Sequence, residues 1–131
     1  MTEEHPNAAL MERLFAAFGR RDGAALAAMF DHDVVWRVGG ETPMSGEYEG
    51  WRQVVTFLRR TTSETEGTYR SSLAWAVGGE GCAAAVYRAR GARNGSELDI
   101  DQLLLCDVSD GRITRATAIP FEPDAFTRFW A

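Results

Sequence analysis

Residues 97–113 read Glu97-Leu98-Asp99-Ile100-Asp101-Gln102-Leu103-Leu104-Leu105-Cys106-Asp107-Val108-Ser109-Asp110-Gly111-Arg112-Ile113. An apolar-rich extended run that ends on Asp-Gly is a strand entering a tight hairpin, because both central residues of such a turn need positive φ. The same punctuation recurs upstream, at Gly78-Gly79-Glu80-Gly81 and at Asn94-Gly95. The spacing predicts an antiparallel meander of four strands: Thr68 to Val77, Cys82 to Arg90, Glu97 to Val108 and Arg112 to Phe121. Strands of that length twist and curl strongly.

The half before this meander has helical texture. Asn7 is positioned to cap a helix in which Leu10, Leu14, Phe15 and Phe18 recur at helical spacing, with Gly19 at its end. Asp22 is positioned to cap a second, shorter helix with Leu26, Met29 and Phe30 on its apolar side, leading into a strand from Val34 to Val38. Gly39 to Gly50 reads as a loop, and Trp51, Val54, Val55 and Leu58 mark a third helix. Phe126, Phe129 and Trp130 predict a short closing helix. A curved sheet with helices over its concave face is an α+β solution that leaves a hollow between the layers, where ligands bind.

At 131 residues, 45% hydrophobic and 25% charged, the chain fits one ordinary globular domain spanning 1–131. The formal charge of -5 gives no basic face for nucleic acid or anionic lipid, so neither is expected as a partner. No apolar run is long enough to span a bilayer. The acidic start Met1-Thr2-Glu3-Glu4 lacks the features of a signal peptide, which makes the cytoplasm the expected location. All 14 basic residues are arginine and alanine is abundant, the mark of a GC-rich coding sequence such as many bacteria have. Cys82 and Cys106 fall inside predicted strands and form no CxxC or metal pattern.

The order helix, helix, strand, helix and then four long strands resembles the nuclear-transport-factor-2-like superfamily over nearly the whole chain. Arg13-Leu14-Phe15-Ala16-Ala17-Phe18, then Asp22, then Met29-Phe30-Asp31-His32-Asp33-Val34-Val35-Trp36 is similar to that family's opening. Pro43 to Trp51 resembles its loop into the third helix, Asp110-Gly111-Arg112-Ile113 its last hairpin, and Asp124 to Trp130 its aromatic C-terminus. The resemblance points to the SnoaL-like polyketide cyclase and ketosteroid isomerase-like branch. It implies a cone-shaped α+β fold: a strongly curved antiparallel sheet with three helices of the N-terminal half over its concave face. Laid on the ketosteroid isomerase pattern, the tyrosine position falls on Leu14 and the catalytic base on Val38, so steroid isomerase activity is not expected. The third polar position, a carboxyl kept neutral in an apolar site, falls near Asp101.

Two functions follow, from different classes. In the first, the chain is a small enzyme that performs cofactor-independent acid-base chemistry, a cyclisation, isomerisation or hydration of an apolar carbonyl compound. Asp101 is then the acid or base. In the second, it is a non-catalytic pocket or dimerisation module. For either, the expected pocket is lined by Trp36, Leu14, Val38, Phe18 and Tyr69, together with Leu103 and Leu105, which share the Asp101 face by period two. Trp36 also has a reading as core filler, and Asp99 and Asp101 as a strand end emerging into solvent. Arg37, Arg70, Tyr87, Arg88, Glu122 and Asp124 fit either the pocket mouth or the outer face, because one β-bulge reverses parity.

His32 between Asp31 and Asp33 suggests metal ligands. Neighbouring residues at a helix-to-strand junction point in different directions, however, so no metal site and no cofactor are expected. No nucleophile elbow or phosphate loop occurs. The face opposite Asp101, with Leu98, Ile100, Leu104 and Cys106, is expected to form a homodimer through the outside of the sheet.

Overall fold

The computed structural model describes residues 4–131, so the acidic start at Met1, Thr2 and Glu3 lies outside the described residues. Two helices, α1 (Pro6–Arg20) and α2 (Gly23–Met29), run into β1 (Phe30–Val38). A short β2 (Gly46–Glu49) then turns into α3 (Gly50–Glu64). The meander follows as β3 (Arg70–Gly79), β4 (Cys82–Arg93), β5 (Ser96–Ser109) and β6 (Arg112–Pro120), and α4 (Pro123–Trp130) closes the chain.

The hairpins form where the turn residues place them. Asn94 and Gly95 take φ of 50° and 77°, and Asp110 and Gly111 take 52° and 73°, the paired positive angles that match strand twist. The sheet is mixed, with order β2-β1-β6-β5-β4-β3, because β1 lies parallel to β6 and antiparallel to β2. The wholly antiparallel sheet expected from sequence is corrected in this one pairing. A strand reached before α3 and the meander can dock beside the last strand only at the open edge, and there it runs parallel.

Residues 39–50, expected to be a loop, contain β2. Its side chains show no buried alternation, since it is an edge strand held by backbone pairing to Val35–Val38. α1 begins two residues earlier than expected: His5, not Asn7, is the N-cap and accepts from the Asn7 N–H, with Pro6 in the first turn. The Asn7 side chain donates instead to the Gly79 carbonyl at 2.9 Å, pinning α1 to the end of β3. Arg21, in the left-handed region, ends α1 in place of Gly19. Asp22 caps α2 as its sequence indicates, accepting from Ala25 N–H at 3.1 Å.

The helices pack on one face of the sheet, α1 against β3 and β4, α3 against β1, and α4 against β5. This decides the two faces of β5. Leu98, Ile100, Gln102, Leu104, Cys106 and Val108 point under the helices and are buried, while Asp99, Leu105 and Asp107 are exposed and Asp101 and Leu103 half-buried on the opposite face. The sequence expectation had these faces interchanged. Leu98, Ile100, Leu104 and Cys106 belong to the core and leave no stripe for a partner. The apolar residues exposed outside are Trp75, Val77, Leu105, Ile119 and Phe121.

Candidate functional site

Between the helices and the covered face of the sheet lies a cavity of about 630 Å³, within the range of small-molecule sites. α1 supplies Phe15 and Phe18, β1 supplies Trp36 and Val38, and α3 supplies Phe57 and Leu58. Leu104 comes from β5, and Phe126 and Trp130 from α4. α4 is fastened over this end by Arg93 of β4, which donates to the carbonyls of Phe129 and Ala131 at 3.0 and 2.9 Å. The aromatic walls support one another: Trp36 sits 6.0 Å from both Phe30 and Phe57, and Phe15 is 4.9 Å from Tyr87 between ring centroids.

Among the side chains of this lining, three buried ones, Gln102, Tyr87 and Trp36, carry polar atoms that bear on a ligand's inner end. Gln102 and Tyr87, opposite one another on β5 and β4, are both buried, and Gln102 Nε2 donates to Tyr87 Oη at 2.8 Å. The phenol proton is then free to donate to a ligand. With the amide turned over, the phenol would donate to Oε1 and the amide would keep a free N–H, so either orientation presents a donor. Burial raises the Tyr87 pKa far above its ordinary value, which keeps the phenol neutral. Gln102 Oε1 has no donor among the described residues. The third group is the Trp36 indole Nε1–H, buried and without an acceptor there. Each such buried group costs about 1–3 kcal/mol while it stays without a partner.

The structure gathers Trp36, Val38, Phe18 and Tyr69 on the cavity wall. Leu14 is fully buried in the core beneath it and is not on the lining. Asp101, Leu103 and Leu105 lie on the other side of the sheet, which corrects the expected cavity position of all three. The Asp101 carboxylate is ion-paired with Arg88 at 3.3 Å, its side chain 44% exposed. Asp99 joins the same surface cluster, 2.7 Å from Arg88 and 3.0 Å from Arg90. Those hydrogen bonds, to Arg88 first, hold its carboxyl below the usual aspartate range.

The isomerase register carried the error, because a displacement of one residue in a strand exchanges the faces. A signal for the right face was present: Leu98, Ile100, Leu104, Cys106 and Val108 form an apolar stripe broken only by Gln102. A lone amide in a core-facing stripe has to satisfy its hydrogen bonds inside. Sequence reasoning missed it, and it named Tyr87 without a face.

No described carboxylate, imidazole or thiol lines the cavity except Glu66, exposed at the rim. His32 is exposed on β1, and among the described residues no three His, Cys, Asp or Glu gather as a metal site.

Residues 11–116 match the sequence pattern of the SnoaL-like domain. The chain belongs to the SnoaL-like family. Uncharacterised proteins of Mycobacterium tuberculosis and Mycobacterium bovis are each 37% identical to this SnoaL-like domain over 123 residues, covering 93% of this chain and 94% of their own. Among solved structures it is similar to Bal32a, from a soil-derived mobile gene cassette, with a TM-score of 0.93 and 24% identity over 96% of this chain and 97% of that one. It is also similar to TerC, co-crystallised with polyporic acid, with a TM-score of 0.82 and 20% identity over 95% and 98% of the two chains. At these identities the likeness is one of fold, the nuclear-transport-factor-2-like cone.

Proposed function

We propose that this SnoaL-like domain binds a small, mainly apolar molecule bearing a carbonyl or hydroxyl oxygen, which accepts from Trp36 Nε1–H or from the Tyr87–Gln102 pair. The observation that carries the reading is an aromatic cavity whose lining residues include buried hydrogen-bonding atoms without a partner among the described residues. TerC, a neighbour of the same fold, was co-crystallised with polyporic acid, which supports a ligand-binding role by likeness of fold. Acid-base work by Asp101 is not part of the proposal, since that carboxylate has no access to the cavity.

A second reading, turnover, is favoured by the same donors. A neutral donor such as the Tyr87–Gln102 pair, set against a carbonyl oxygen, would stabilise an enolate as it forms, the electrostatic half of a cyclase or isomerase reaction. The other half, a base for the α-proton, has no described candidate in the cavity besides Glu66, exposed at its rim. The binding reading therefore stands first.

The test is titration with 2-acetylnaphthalene and with 2-ethylnaphthalene, its near-isosteric hydrocarbon. The ketone should bind about fivefold more tightly, the worth of roughly 1 kcal/mol for one net hydrogen bond. Absence of binding by both compounds would remove the reading. The ketone's methyl protons, followed by NMR in deuterium oxide, separate the two functions: exchange accelerated over buffer means turnover chemistry, and unaltered exchange means binding alone.

We also propose that two copies associate through the outer sheet face. Trp75, Val77, Leu105, Ile119 and Phe121 are exposed there beside the Arg88, Arg90, Asp99 and Asp101 cluster. An apolar patch rimmed by charges of both signs is complementary to itself about a two-fold axis.

A further inference from the structure

The mouth of the cavity has a charge opposite to that of the molecule. The chain as a whole carries a formal -5, yet Arg21, Arg59 and Arg70 line the cavity against a single acid, Glu66. Among the described residues no carboxylate lies within ion-pair distance of any of these three arginines. Elsewhere on the sheet Arg88, Arg90, Arg93 and Arg115 have acidic partners, while among the described residues Arg37 and Arg112 have none.

Arg21 and Arg70 are moreover held close together. Arg21 Nη2 and Arg70 Nη1 each donate to the Gly67 carbonyl oxygen at 2.8 Å, so the two guanidinium groups are within twice that distance of each other. Arg70 also donates to the Tyr69 carbonyl at 2.8 Å, which orients it at the strand end. A guanidinium has five N–H donors, and these contacts use only one nitrogen of each group. Two like charges sharing one neutral acceptor repel, and an oxyanion between them would relieve that repulsion and accept their remaining donors.

From this geometry we infer that the ligand is amphipathic, an apolar carboxylic acid whose body fills the aromatic cavity and whose carboxylate is held at the mouth by Arg21 and Arg70, with Arg59 contributing to the local field. The inference rests on the pocket reading proposed above and narrows its ligand class. It also fixes an orientation, because the buried polar groups available to the inner end of the ligand, Trp36, Tyr87 and Gln102, are all neutral. A charged end would lose its hydration there without a counter-ion. At the rim, by contrast, the carboxylate keeps part of its water.

The experiment uses N-phenyl-1-naphthylamine, an uncharged dye that fluoresces in apolar cavities, displaced by 2-naphthoic acid or by 2-naphthamide at neutral pH. Burial of the apolar body alone would favour the amide, since a carboxylate is the more strongly hydrated of the two heads. The acid should nevertheless compete about tenfold more strongly, as expected for hydrogen bonds to a charged group, and raising the salt concentration should shrink that advantage.

In the Arg21→Gln/Arg70→Gln double variant the acid should lose the advantage while dye and amide bind as before, and Arg21→Lys/Arg70→Lys should restore part of it. Arg52→Gln, an exposed change on α3 away from the lining, should alter none of these values. If dye and amide bind but the acid is no stronger, the carboxylate inference is overturned and the pocket reading survives. If the double variant still prefers the acid tenfold, the arginines are not its site. If neither dye nor amide binds the native protein, the pocket reading falls and the inference with it.

Discussion

Trp36→Phe keeps an aromatic wall in place and removes one N–H. The indole has no acceptor among the described residues in its buried position, so the variant should be as stable as the native chain to within about 1 kcal/mol, the lost packing being offset by the lost unsatisfied donor. Affinity for an aromatic ketone should fall about fivefold, the worth of a net hydrogen bond near 1 kcal/mol, while affinity for the matched hydrocarbon stays the same. Thermal denaturation and paired titrations read the two effects separately, and an equal loss for both ligands would show that Trp36 acts only as a wall. Asp101→Asn supplies the contrasting case. With Asp101 on the outer face and paired to Arg88, the variant should bind both ligands as tightly as the native chain, and a large loss would place the carboxylate in contact with the site after all. Trp36 could be recognised as a pocket candidate from the β1 alternation alone. That its N–H lacks a partner depends on which side chains surround it, and no local pattern carries that information.

At the scale of elements, the contact between the start of α1 and the end of β3 decides how the first helix sits over the cavity. Gly78 lies against the backbone of Asn7 and Ala8, where an added Cβ would overlap main-chain atoms that cannot swing aside. Gly78→Ala should therefore cost about 1–3 kcal/mol, typical of overpacking a close contact, as measured by urea denaturation; an unchanged midpoint would mean that α1 is free to lift. The buried face of β5 and β4 gives a pH prediction. Burial pushes the Cys106 thiol up to about 12, whereas in the unfolded chain it ionises near 8.5. The folded form thus retains a proton that the unfolded form releases. This stability is complete below about pH 8.5 and declines as pH rises toward 12, by up to about 1.4 kcal/mol per unit. Tyr87, also raised by burial, adds to the decline above about pH 10. Denaturation midpoints from pH 7 to 10.5 should fall accordingly, and Cys106→Ala should flatten the first part of that fall. Gly78-Gly79 was legible as a turn, but the helix that crosses it was not, since the two are joined only through the folded chain.

For the whole molecule the central question is what covers the outer face of the sheet. Leu105 is 45% and Phe121 53% exposed, with Trp75, Val77 and Ile119 nearby, a grouping larger than single surface hydrophobes. Light scattering at micromolar concentration should give twice the mass of one chain. Leu105→Glu should shift it to the monomer, with dye binding in the cavity retained, because the substituted side chain lies on the side of the sheet away from the lining. A native monomer at that concentration would end the proposal. Dimerisation was expected from the sequence on a correct premise, an apolar face left over after the helices are placed. The residues named for it were the core ones, because strand parity identifies two faces but does not say which of them the helices choose.

What the sequence determined by itself was what local chemistry determines: turns that need positive φ at Asn94-Gly95 and Asp110-Gly111, the Asp22 cap, the helical spacing of Leu10, Leu14 and Phe18, and with them the order of elements. Tertiary structure alone decided the parallel docking of β1 on β6, the hidden edge strand β2, and the side of β5 that faces the helices. It likewise decided that Gln102 meets Tyr87 inside while Asp101 meets Arg88 outside. Local propensity acts over a few residues and is written in them. The facing of a strand is set by which surface buries more apolar area against helices distant in the chain, and a one-residue displacement reverses it.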